Sequence, residues 1–155
     1  MTKAFVSGCA GLTLTSSEID FFRQEDPWGL ILFARNIETP EQVRTLTSAF
    51  REAIGRSDAP VLVDQEGGRV QRLKPPHWPK YPAPKAFGDL YDQDAAAGQR
   101  VAWLAGRLIA DDLYQVGLTV DCLPCLDVRF PETVDAIGDR AFSQDPEVVA
   151  ILGKA

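Results

Sequence analysis

Gly29-Leu-Ile-Leu-Phe33 and Pro60-Val-Leu-Val63, separated by a capped helix, decide the fold. Each is an unbroken apolar run of strand length, the pattern of a strand covered on both faces, as in parallel sheets. Between them Thr39 offers an N-cap with Pro40 at the first helical position. Val43, Leu46, Phe50 and Ile54 then repeat at helical spacing until Gly55 ends the helix. Strand, helix, strand in that order is a right-handed crossover unit, and such units build parallel sheets.

The same order extends in both directions. Upstream, Ala4-Phe5-Val6 predicts a short strand. Leu14, Thr15, Glu18 and Ile19 supply a staple and capping box for a helix running to about Glu25, which Pro27 stops. Downstream, Pro75, Pro76, Pro79, Pro82 and Pro84 predict a long loop from Lys74 to about Phe87 that covers something and does not link domains. A third helix is expected from Asp94 to Val116, with Val101, Leu104, Leu108 and Ile109 as its buried stripe. The fourth strand is expected from Leu118 to about Val128, and a loop follows over 129–140. Asp145-Pro146-Glu147 then opens a helix carrying Val148, Val149, Ile151 and Leu152.

Four strand-and-helix units make the chain α/β. Two architectures fit, a doubly wound open sheet and a TIM-type (β/α)8 barrel. A barrel typically takes ~250 residues. Under the barrel reading, residues 1–155 are therefore the first four units of one barrel domain, cut short at the C-terminus.

Composition narrows the function. With 45% hydrophobic and 25% charged residues the chain is neither disordered nor a disulfide scaffold. Sixteen basic against 22 acidic residues, with no basic run, disfavour nucleic acid and anionic membrane as partners. No apolar stretch approaches the ~20 residues of a membrane span. Val6-Ser7-Gly8-Cys9 resembles a lipoprotein cleavage box, yet only Ala4 and Phe5 separate it from Lys3, where a signal needs an apolar region of about 7 to 15 residues. A cytoplasmic protein is expected.

Cys122-Leu-Pro-Cys125 has redox or zinc spacing, but in a strand residues three apart point to opposite faces. Only Cys9 and His77 are left as further ligands, so the pair is read as packing and no metal or other cofactor is expected.

In parallel folds, ligand-binding groups sit on the loops after strands. That rule selects Arg35-Asn36, Asp64 to Arg72 and Asp127 to Arg140. Asp64 reads either as a carboxylate satisfied by loop amides or Arg69, or as an acceptor for ligand hydroxyls with Arg72 as a planar donor beside it. Glu66, before Gly67-Gly68, is read as a loop anchor. His77 sits among prolines with no orienting carboxylate nearby. Trp78 and Tyr81 read as loop pins or as platforms for a sugar face. The segment lacks the G-x-G-x-x-G spacing of dinucleotide sites.

Asp64-Gln-Glu-Gly-Gly-Arg-Val-Gln-Arg72, Gly117-Leu-Thr-Val-Asp-Cys-Leu-Pro-Cys-Leu-Asp-Val128 and Ile137-Gly-Asp-Arg-Ala-Phe-Ser143 with Asp145-Pro146, taken together, resemble glycoside hydrolase family three. Within it they are similar to the bacterial cytoplasmic β-N-acetylglucosaminidases of peptidoglycan recycling, across essentially the whole chain. The resemblance implies a (β/α)8 barrel that removes terminal N-acetylglucosamine from muropeptides or chitooligosaccharides with retention and without a metal. It implies Asp64, Arg72 and Arg140 as sugar ligands. It also implies that the family's Lys-His-x-x-Gly-His-Gly segment, with its histidine acid/base, and its aspartate nucleophile lie downstream of Ala155. The chain is accordingly expected to hold part of a sugar site, no catalytic residue and no activity of its own. Two alternatives stand beside this reading: a non-catalytic sugar-binding half-barrel, and an unrelated sugar-phosphate enzyme using Asp64 and Glu66.

Overall fold

A computed structural model describes residues 1–130, 132 and 135–155. Four strands, β1 (Lys3–Ser7), β2 (Pro27–Leu32), β3 (Val61–Val63) and β6 (Val120–Asp121), lie side by side in that order, each pair parallel. Between β3 and β6 the chain forms a small antiparallel hairpin, β4 (Gln65–Gly67) with β5 (Val70–Gln71). The helices are α1 (Ser16–Glu25), α2 (Pro40–Ile54), α3 (Pro84–Gln93), α4 (Ala95–Tyr114) and α5 (Pro146–Lys154). The alternation read from the two apolar runs is thus the alternation observed. Leu30, Leu32, Val61 and Val63 are fully buried in the core. Alternate residues of a strand share one face, however, and on the opposite face Ile31 and Leu62 are half-buried. In this chain the strands are therefore fully covered on one face and not, as their unbroken apolar runs suggested, on both.

Local chemistry accounts for the helix ends. Thr15 accepts the Glu18 N–H while Glu18 accepts the Thr15 N–H at 2.8 Å, closing the capping box of α1. Thr39 caps Gln42 at the start of α2, and Gly55 ends it in the left-handed region that glycine adopts without strain. Asp145 caps α5 through the Glu147 N–H at 2.8 Å.

Three further expectations are corrected. The proline-rich loop stops at Ala83, because Pro84 starts α3. A proline at the first helical position gives up an N–H that has no intrahelical acceptor, so it begins a helix as readily as it breaks one. Of the expected stripe of α4 only Ile109 is buried, together with Gly98, Ala105 and Leu113, whereas Val101, Leu104 and Leu108 are exposed. Close approach selects the small-residue face: a Cβ on Gly98 would stand 2.5 Å from the Tyr91 Cα of α3. The fourth strand ends at Asp121 and does not reach Val128, since Pro124 has no N–H to donate to a ladder. Cys122 is exposed and Cys125 buried, both as free thiols, although the strand that was to separate their faces ends before either. Pro131, Thr133 and Val134, within the loop expected over 129–140, lie outside the described residues. Among the described residues, no helix is long and apolar enough to cross a membrane.

Candidate functional site

The site begins where β3 ends. Asp64 follows Val63 directly, and the β4–β5 hairpin turns the chain back so that Arg72 returns beside it. Two buried glutamine side chains hold that return. The Gln65 oxygen accepts the N–H groups of Arg72 and Leu73 at 2.8 and 2.9 Å, and its amide donates to the Leu73 carbonyl at 3.0 Å. Gln71 donates to the carbonyls of Leu73 and Pro79 and accepts the Tyr81 N–H at 3.0 Å. Every polar atom of these amides is matched, which is what burial demands. The hairpin turns at Gly67 (φ 91°) and Gly68 (φ 57°), where only glycine fits: a Cβ on Gly67 would lie 2.2 Å from the Pro82 carbonyl oxygen. The proline-rich loop therefore covers this hairpin.

Arg72 Nη2 donates to Asp64 Oδ2 at 2.7 Å, with both side chains about a quarter exposed. Arg140 arrives from the loop before α5 and engages Glu66 with two parallel bonds, Nε to Oε2 at 2.8 Å and Nη2 to Oε1 at 2.7 Å. The Glu66 side chain is only 3% exposed, so this fork supplies the cation and donors that a buried carboxylate needs. Those bonds also raise the Arg140 pKa above its ordinary value. The three candidate residues are thus brought together at the carboxyl end of β3: Asp64 and Arg72 touch, and Arg140 is tied in through Glu66, two residues from Asp64.

The remaining candidates have structural work. Arg69 pairs with Asp139 at 3.1 Å and donates to the carbonyls of Asp135 and Ala136, so it holds the second loop and is not the partner of Asp64. Arg35 and Asn36 donate to the Cys9 carbonyl, each at 3.1 Å, and anchor the loop after β1. Trp78 and Tyr81 are buried in the main core, and the Tyr81 hydroxyl donates to Asp112 at 2.6 Å, so both pin the proline-rich loop. His77 is exposed and packs edge-on against Trp78.

Sequence reasoning assigned no role to Asp121, although it closes a strand as Asp64 does, and the strand-end rule could have found it. Its Oδ1 accepts the Gln65 N–H at 2.9 Å, and its Oδ2 is buried with no partner among the described residues. Burial first, then Asp64 and Glu66, push this carboxyl up to about 7 against the backbone donors Gln65 and Cys122. Burial and the Asp64 carboxylate also push the Cys122 thiol up to about 11, which keeps it protonated and a weak nucleophile. Arg72 Nε is likewise buried without a partner among the described residues. A carboxylate and a planar guanidinium side by side, partly open and backed by satisfied amides, can accept from and donate to adjacent hydroxyls of a polyol.

Known proteins resemble this chain in sequence and fold. Residues 19–155 match the model described as the N-terminal domain of glycosyl hydrolase family 3. The chain is 39% identical over 150 residues to a beta-hexosaminidase of Xylella fastidiosa (strain M23), covering 96% of this chain and 43% of that protein. It is also 39% identical over 155 residues to the beta-hexosaminidase of Pseudomonas aeruginosa (strain LESB58), covering 100% of this chain and 44% of the relative. Among solved structures, NagZ from Neisseria gonorrhoeae in complex with N-trifluoroacetyl-D-glucosamine is similar with a TM-score of 0.92 at 32% identity, covering 99% of this chain and 45% of that one. A family 3 β-N-acetylglucosaminidase from Paenibacillus sp. FPU-7 is similar with a TM-score of 0.82 at 28% identity, covering 96% of this chain and 28% of that one. The chain spans less than half the length of the curated relatives it matches.

Proposed function

Because the chain belongs to glycoside hydrolase family 3, with the α/β fold of the first half of its barrel, we propose that it is the sugar-holding part of a retaining β-N-acetylglucosaminidase. The observation that carries this reading is the Asp64–Arg72 pair, 2.7 Å apart and partly open, beside the Glu66-held Arg140. Asp64 accepts from hydroxyls of a terminal N-acetylglucosamine, Arg72 donates to the same ring, and Arg140 donates from the neighbouring loop. The substrate class is a β-linked N-acetylglucosaminide, either a muropeptide of peptidoglycan recycling or a chitooligosaccharide, met in the bacterial cytoplasm.

Retaining hydrolysis divides the work between a nucleophile and a group that is first acid and then base. Glu66 suits neither role: both of its oxygens accept from Arg140 and its side chain is buried. That disfavours the sugar-phosphate alternative, which required Asp64 and Glu66 as working carboxyls. On this reading the reacting histidine and aspartate belong to segments downstream of Ala155, and the 155 residues bind and orient sugar without cleaving it.

The test compares this chain with a polypeptide extended through those downstream segments, on a chromogenic N-acetylglucosaminide. Turnover by the long form only is expected. Asp64→Ala in the long form is expected to lower kcat/KM by about tenfold to a hundredfold, as loss of a charged hydrogen bond to substrate does. Comparable turnover by the short chain, abolished by Asp64→Ala or Glu66→Ala, would mean that the reacting groups lie within it.

A further inference from the structure

Asp121 closes β6, and one of its oxygens reaches across to the peptide that carries the other two carboxylates of the site. Gln65, whose N–H donates to Asp121 Oδ1 at 2.9 Å, is the residue between Asp64 and Glu66. A single carboxyl oxygen on β6 thus fixes the backbone from which both of those side chains project. The groups facing Asp121 are Asp64 from the end of β3, Glu66 from β4 and the adjacent Cys122 thiol. Asp64 and Glu66 each have a guanidinium, Arg72 and Arg140, within hydrogen-bond distance, whereas Asp121 has no ion-pair partner among the described residues. Two cations match two carboxylates. The third carboxyl is buried, and with its Oδ2 unpartnered it costs less as a neutral acid than as an anion.

We propose that Asp121 is a positioning residue of the sugar site, whose neutral form holds the Gln65 amide and leaves Asp64 and Glu66 on their arginines, and whose ionised form repels both carboxylates and weakens sugar binding. This inference rests on the reading of Asp64 and Arg72 as sugar ligands. The proton resides on Oδ2 while Oδ1 accepts from Gln65. The upward displacement of this carboxyl to about 7 puts the change of form near neutral pH.

Nuclear magnetic resonance of the chain tests the two parts separately. In the free protein the Gln65 amide resonance is expected to titrate with a midpoint of about 7. Asp121→Asn, whose side-chain oxygen still accepts the Gln65 N–H, is expected to remove that titration. With N-acetylglucosamine as the probe, the dissociation constant is expected to rise about threefold to tenfold from about pH 6 to about pH 8, the scale of one added charge beside the Asp64 and Glu66 carboxylates. In Asp121→Asn it is expected to stay at the low-pH value. A Gln65 titration or an affinity slope that survives this substitution overturns the inference and leaves the sugar reading intact. Sugar binding that is absent from the wild-type chain, or unaffected by Asp64→Ala at every pH, overturns the sugar reading itself. Should the variant not fold, the carboxyl resonance of Asp121 in the wild-type chain decides. By linkage its midpoint rises when sugar saturates the site. A midpoint that sugar does not move, or one in the ordinary carboxylate range, overturns the proposal.

Discussion

Asp121 and Arg140 illustrate opposite ways in which one residue handles a buried carboxyl, and each carries a stability prediction. Asp121 is raised from 3.8 to about 7, so the folded state binds its proton more tightly than the unfolded chain does. The contribution to stability is fully present below the unfolded value of 3.8 and is lost as pH rises to about 7. Asp121→Asn is therefore expected to change stability little at about pH 4 and to stabilise the fold by a few kcal/mol at about pH 8, read from urea unfolding at the two pH values. Arg140→Ala is expected to do the reverse of what an exposed substitution does. It strands Glu66, a carboxylate 3% exposed, without its cation, at a cost of about 3 kcal/mol. Glu66→Gln together with Arg140→Ala should recover a large part of that loss in the same unfolding measurement, because a buried neutral amide needs no counterion.

At the scale of the elements, glycine positions in one helix separate intrinsic propensity from packing. Gly98 and Gly106 both lie in α4, where alanine is favoured over glycine by roughly 1 kcal/mol. A Cβ on Gly106 meets nothing within 4 Å, whereas one on Gly98 would come 2.5 Å from the Tyr91 Cα in α3. Gly106→Ala is accordingly expected to raise the melting temperature by a few degrees, and Gly98→Ala to lower it, by calorimetry. The same close approach explains why the helical stripe of Val101, Leu104 and Leu108 misled. Periodicity identified a helix with an apolar side and placed Ile109, which packs in the main core, correctly, but the small residues Gly98 and Ala105 face α3, and side-chain size, not hydrophobicity alone, decides which face a helix buries. Pro84 is the corresponding case at a boundary, since a proline reads alike whether it ends a loop or starts a helix.

For the molecule as a whole, the sheet order β1-β2-β3-β6 leaves one side of β1 and one side of β6 without a strand neighbour among the described residues. Unpaired parallel edges and exposed apolar residues such as Trp28, Leu108 and Leu126 favour association. The 155-residue chain alone is expected to self-associate with rising concentration in sedimentation experiments, and the extended polypeptide to sediment as a smaller, discrete species. A chain that stays monomeric at high concentration would show that these edges are tolerated in water.

The residues by themselves determined the strand and helix alternation and most helix caps. Those signals are local: an apolar run, a Thr-x-x-Glu box or an Asp-Pro-Glu start depends on neighbours within a few residues. They also determined that Asp64 and Arg72 stand at a strand end, because the hairpin that joins them is only a few residues long. Tertiary structure alone decided the rest. Arg140 meets Glu66 across 74 residues of chain, Asp121 reaches Gln65 across 56, and Tyr81 finds Asp112 across 31. No spacing rule encodes such contacts, since the distance along the chain says nothing of which strands lie side by side. Glu66 as the anchor of Arg140, and Asp121 as the third carboxyl of the site, become visible only once the parallel sheet sets β6 beside β3 and carries all three carboxyls to one end.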